Sequence, residues 1–115
     1  MIEFNGIIKS IEKTEISKID LISFEFKDGP NKMNLEMVKE KNPFKESDPV
    51  KIIFNTKPMT KNNLKLVLNG YLYSITKDKD INKIHITIGG LQLQIETSKE
   101  YKDFKPKTNV IISFF

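Results

Sequence analysis

The chain's 115 residues make room for one domain, and its composition, 38% hydrophobic and 30% charged, is that of an ordinary globular fold. Cys, Arg, Trp and Ala are absent and His85 is the one histidine, so disulfide scaffolds, thiolate zinc sites, cysteine nucleophiles and Ser-His-Asp devices have little to draw on. All nineteen basic residues are lysines: residues 1–58 set ten against ten acids and residues 59–115 set nine against five, which places the whole +4 surplus in the second half.

Apolar and polar residues alternate almost throughout, the period of a half-buried strand. An opening strand is predicted around Phe4–Ile11, a second over Ile19–Phe26, a third over Met33–Met37 and a fourth over Val50–Phe54. A fifth runs through Leu64, Leu66 and Leu68 and resumes as Tyr71, Tyr73 and Ile75. Ile84–Ile88, Leu91–Ile95 and Val110–Phe114 bring the count to about eight. Turn chemistry punctuates them. Asp28-Gly29-Pro30-Asn31 joins strands two and three, and Pro43 and Pro49 bracket a polar connection whose Phe44 is expected to plug a barrel mouth. Lys57–Asn63 is a loop around Pro58, and Lys77–Asp80 is a charged connection.

No window carries a convincing helical stripe. Lys39–Asp48 and Thr97–Lys107 are too irregular, although Ser98–Phe104 allows one helical turn with Ser98 as its cap and Pro106 ending it. The expected class is therefore all-β with little helix, a single domain over residues 1–115. An all-β chain hides its edges most completely by closing. A closed or nearly closed antiparallel barrel of oligonucleotide-binding (OB) type leads, with an open two-sheet sandwich second. No apolar run nears the roughly 18 residues of a membrane span, and Glu3 and Asn5 interrupt any secretory signal, so a cytoplasmic protein with no membrane contact is expected.

Constellations that carry chemistry are sparse. His85 sits mid-strand on the face opposite Ile84 and Ile86, with no carboxylate or serine arranged beside it. Scattered carboxylates flanked by lysine read as solvated ion pairs, and there is no phosphate-binding glycine loop. No catalytic, cofactor-binding or metal-ligating residue is assigned. Tyr71 and Tyr73 share a strand face on which bases could stack, or else they fill a core or an interface. The lysines at 77, 79 and 83 and at 99, 102, 105 and 107 make either a basic rim or an ordinary solvated surface. Lysine alone attracts phosphate as a point charge and lacks the guanidinium fork that reads guanine. Any nucleic-acid binding should thus be weak and non-specific. Gly89-Gly90 is the sharpest local feature, and three readings fit it: a two-residue hairpin, one strand bent at a barrel corner, or close approach by a partner backbone.

The second half also carries an ordered set of motifs. Gly70-Tyr71-Leu72-Tyr73-Ser74-Ile75 precedes Ile84-His85-Ile86-Thr87-Ile88-Gly89-Gly90-Leu91, and a final apolar strand follows Phe104. Upstream stand Lys32-Met33-Asn34-Leu35 and Pro49-Val50-Lys51-Ile52-Ile53-Phe54. This set resembles RNA polymerase subunit 8, known in archaea as the G subunit, in which a Gly-x-x-Tyr-x-Ile strand leads to a strand ending in an aromatic residue and Gly-Gly-Leu-Leu. Ile88 replaces the aromatic that relatives often have before the glycines. The short charged spacer and the end at Phe115 fit the compact archaeal form better than the eukaryotic one.

The resemblance implies an OB-type barrel that works as a non-catalytic, structural subunit of a multi-subunit DNA-directed RNA polymerase. It implies docking on the largest subunit near the pore and funnel, with the magnesium-binding aspartates in that subunit and no cofactor in this one. The expected interface is Gly70, Tyr71, Tyr73, Gly89, Gly90 and Leu91. The rival reading is a stand-alone OB-fold binder of single-stranded nucleic acid, drawing on the +4 charge, Tyr71 and Tyr73.

Overall fold

The computed structural model describes residues 1–58 and 63–115, so the middle of the Lys57–Asn63 loop lies outside the described residues. Eight strands form: β1 (Ile2–Lys13), β2 (Ile19–Phe26), β3 (Lys32–Val38), β4 (Pro49–Asn55), β5 (Leu66–Asp78), β6 (Ile81–Ile88), β7 (Leu91–Thr97) and β8 (Thr108–Phe114). They close into an antiparallel barrel in the order β1-β2-β3-β7-β6-β5-β8-β4, with β4 returning to β1. Lys39–Lys41 is a single 3-10 turn, the helical content of the described residues. No helix among them is long and apolar enough to cross a membrane. Each strand has a paired neighbour on both sides, and the sandwich alternative is set aside.

Alternation explains most of the register. In β3, Met33, Leu35 and Met37 are buried while Lys32, Asn34 and Glu36 face outward. Two bulges break the strict period. In β1 the register shifts between Ile8 and Ser10, so that Ile8 and Ile11 both reach the core. In β5 it shifts between Leu72 and Ser74, so that Leu72 and Ile75 both face inward. Ile75 therefore does not continue the face of Tyr71 and Tyr73, as uninterrupted alternation predicts. One extra residue bends the strand and moves everything beyond it to the other side.

Isoleucine and phenylalanine supply most of the interior. Phe44 is buried where the β3–β4 connection crosses the barrel end, with its ring 5.3 Å from Phe114 and 6.1 Å from Phe24. The Asn42 carboxamide oxygen, accepting from the Phe44 backbone N–H at 2.9 Å, orients that loop inward. This is the plug expected from sequence. Phe104 and Tyr101 close the opposite end, 5.1 Å from Phe54 and 5.3 Å from Phe4 respectively.

The helical turn allowed at Ser98–Phe104 does not form; these residues are turn and bend. Ser98 is drawn instead to the β2–β3 turn, where its backbone N–H donates to the Asn31 side chain at 3.0 Å. The Phe104 N–H to Tyr101 carbonyl bond makes one isolated turn that aims both rings into the barrel. Burying two aromatic rings outweighs whatever a single helical turn would gain.

Candidate partner-docking face

The Gly89-Gly90 pair is the two-residue loop of the β6–β7 hairpin, with Ile88 paired to Leu91 across it. Both φ angles are positive, +57° and +92°, which is the demand of a type I′ turn and the reason for glycine at both positions. The hairpin reading stands and the continuous bent strand does not. A β-carbon built on either glycine meets nothing within 4 Å, so bare backbone faces open space at the hairpin tip.

Tyr71 and Tyr73 lie on the outer face of β5, 39% and 41% exposed, and fill no core. Tyr71 stands between Asn109 of β8 and Thr87 of β6. The Tyr73 hydroxyl donates to the Gln92 side-chain oxygen at 2.8 Å, and its ring lies 5.8 Å from that of His85. His85 is half-buried on the same outer surface, with the Thr76 hydroxyl 3.5 Å from Nε2. Val67, also exposed, and half-buried Ile111 of β8 extend the apolar character of this face.

Of the six expected interface residues, four line one shallow outer depression: Gly70, Tyr71, Gly89 and Gly90, beside Thr87 and Ile111. Tyr73 lies farther along β5, and Leu91 is half-buried below the hairpin tip. Gly70 has a reason of its own to be glycine. It is buried, and a β-carbon there would fall 2.6 Å from Ile86 Cγ2 inside the barrel. Its side-chain position faces the core, so what Gly70 presents to the depression is backbone. Sequence reasoning missed Val67 and Ile111, which stand at outward positions of strands whose apolar residues otherwise point in.

The remaining outer surface is different in kind. On β2 and β3, the face on which OB folds hold oligonucleotides, the outward residues include Leu21, Ser23, Glu25, Lys32, Asn34 and Glu36. No aromatic ring stands there to stack a base, and the charge is more acidic than basic. The proposed basic rim is partly neutralised as well. Lys83 lies 3.9 Å from Glu96, and Lys99 donates to Asp28 at 2.9 Å. That hydrogen bond and charge hold the Asp28 carboxyl below its ordinary value and raise Lys99 above its own.

Comparison with known proteins bears on what such a face is for. A search of curated proteins returns no match. Among solved structures, the cytoplasmic molybdate-binding protein ModG with molybdate bound aligns at 12% identity and a TM-score of 0.40, over 97% of this chain and 88% of that one; a likeness so slight carries no functional argument. The family model for the G subunit of DNA-directed RNA polymerase (RpbG) matches residues 1–113, which takes in all eight strands but the last residue of β8, the glycine hairpin and the Phe44 plug. On that span the chain belongs to the RpbG family of DNA-directed RNA polymerase subunits.

Proposed function

We propose that this polymerase subunit is a non-catalytic, structural one that docks on the largest subunit, near the pore and funnel, through the outer face of β5, β6 and the β6–β7 hairpin. One observation carries the choice of face. Bare turn backbone at Gly89-Gly90, the exposed Tyr71 ring and apolar Ile111 converge on a single depression. Tyrosine supplies large contact area at low entropic cost, and glycine lets a partner backbone approach. A closed barrel is already ordered, so docking loses little conformational entropy.

The experiment is affinity capture of the tagged full chain from native lysate, repeated with Gly89→Asn and Gly90→Val. The largest polymerase chain is expected to co-purify with the parent. Asn tolerates the φ of +57° at position 89, so that variant adds bulk at the tip while preserving the turn. Its melting temperature should stay close to the parent's while assembly weakens. Gly90→Val adds strain at φ +92° and should lower both. If Gly89→Asn assembles as well as the parent, the glycine pair serves the turn alone and the interface lies elsewhere.

The single-strand-binding alternative predicts affinity that the β2–β3 face has no rings to supply. Titration with labelled oligonucleotides at low and high salt should show weak binding, indifferent to sequence and strongly reduced by salt. Tight, sequence-selective binding would overturn the docking reading in favour of the binder.

A further inference from the structure

The acids of this chain are distributed over the barrel in a way that names the chemistry of its partner. Four strands adjacent in the closed order, β6, β5, β8 and β4, contain one carboxylate between them, Asp78, at the last position of β5 beside its turn. The other four, β1, β2, β3 and β7, carry Glu3, Glu12, Asp20, Glu25, Glu36 and Glu96. The acid-poor half is the half that bears the docking face.

Lysines bracket that face along its length. Lys65 precedes Val67 at one end of the outer row of β5, and Lys107 enters β8 beside the Leu72–Tyr73 end, its backbone N–H donating to the Leu72 carbonyl at 2.7 Å. Both are exposed. The Asp and Glu ion pairs among the described residues engage Lys83, Lys99 and the N-terminus, and neither of these two. Between them run Val67, Ile111, Tyr71 and Tyr73. Six residue steps along β5 separate Val67 from Tyr73, about 20 Å at ~3.3 Å per residue.

Resting on the docking reading above, we infer that the segment of the largest subunit received here is apolar at its centre and acidic at both ends. About 20 Å is the reach of some six extended residues or nearly four helical turns. A protein segment fits better than a nucleic-acid strand. The lysines stand at the ends of the strip and are not interleaved with the rings, whereas a phosphate backbone needs charge all along its path. The aliphatic groups of Val67 and Ile111 likewise match apolar side chains better than bases.

The test is binding of the labelled full chain to the purified largest subunit, followed by fluorescence anisotropy at low and high salt. The parent should bind, more weakly as salt rises. Lys65→Glu with Lys107→Glu should weaken binding about tenfold at low salt, since each reversal removes one attraction and adds one repulsion. Lys9→Glu with Lys13→Glu, on the acid-bearing side, should change it less than about twofold. Tyr71→Ala should weaken it at either salt. If Tyr71→Ala weakens binding but the Lys65 and Lys107 reversals do not, the face is right and the acidic ends are wrong. Equal loss in both reversal pairs also overturns the inference, because general charge then explains it. Failure of the parent to bind, or indifference to Tyr71→Ala, overturns the docking reading itself. A labelled single-stranded oligonucleotide that binds the parent at high salt and is lost in Tyr71→Ala would make nucleic acid the occupant and overturn the inference.

Discussion

Replacing Gly70 with alanine separates a packing role from an interface role at one position. The added β-carbon would stand 2.6 Å from Ile86 Cγ2, 3.3 Å from Ile88 Cγ1 and 3.5 Å from the Thr87 carbonyl oxygen. Ile86 is completely buried, so its methyl can move only by disturbing neighbours in a filled core. Overpacking of this kind costs about 1–3 kcal/mol. Alanine recovers about 0.4–1 kcal/mol because the unfolded chain loses freedom. The net expectation is destabilisation of about 1–2 kcal/mol, or a melting temperature lower by roughly 4–8 °C for a domain of this size. The direct check is chemical denaturation of the free chain, alone and in combination with Ile86→Leu, which removes the offending Cγ2 methyl. The double variant should be less destabilised than the sum of the two singles, since the changes meet at one contact. Gly70→Ala with parental stability, or strictly additive effects, would refute the packing argument and return Gly70 to the interface.

Gly6→Ala should be more damaging than Gly70→Ala, because its β-carbon would meet the Glu25 backbone carbonyl, and backbone in a paired strand has less room to yield; urea midpoints of the two variants compare them. Phe44→Ala removes the plug that packs on Phe24 and Phe114 and should cost about 3–5 kcal/mol, read from the same denaturation curves. Lys79 holds φ +58° in the β5–β6 loop, so Lys79→Gly should raise stability by about 1 kcal/mol through relief of left-handed strain, seen as a higher melting temperature. The Asp28–Lys99 pair is solvent-exposed, and its contribution should be small and salt-sensitive. Asp28 has its pKa depressed, so its share is present above the ordinary carboxylate value and fades as pH falls through the lowered one; Lys99 has its pKa raised, so its share fades only as pH rises through the elevated lysine value. Melting curves of Asp28→Asn across the acid range should lose that part of the pH dependence.

Much of the architecture was legible because alternation acts locally. The strands over Ile19–Phe26, Met33–Met37, Ile84–Ile88 and Leu91–Ile95 appear where the period places them, extended by one to three residues at some ends. The Gly89-Gly90 hairpin follows from the φ that a two-residue loop demands, and Phe44 from being the one large apolar group in a polar connection. What was not legible depends on distant parts of the chain. The β5 bulge that parts Ile75 from Tyr73 answers to barrel curvature, and no local pattern announces it. Gly70 is explained by Ile86, a contact visible only once β5 and β6 are in register. Ser98 lost its capping role to Asn31, a residue of another turn brought beside it by closure.

Closure also constrains how such a subunit can be recognised. Every strand of the barrel is paired on both sides over part of its length, and the stretches paired on one side only, such as residues 9–13 of β1 and 73–78 of β5, are overhangs at strand ends, so a partner strand finds little edge to extend. Recognition then falls mainly to outward side chains and the backbone of turns. Outward positions are the ones that alternation fills with polar residues, and on β2 and β3 they are mostly Ser, Asn, Lys and Glu. Val67, Tyr71, Tyr73 and Ile111 depart from that rule on two adjacent strands, next to the hairpin whose bare backbone lies open. Solubility alone would be served by lysine or glutamate at those positions, as it is at Glu25, Lys32 and Glu36. Ile7 of β1 is exposed as well, but it stands alone on its strand, whereas four such groups gather on β5 and β8, and the strands β4, β5, β6 and β8 carry one carboxylate between them; these are two independent departures from a merely soluble surface, and they coincide.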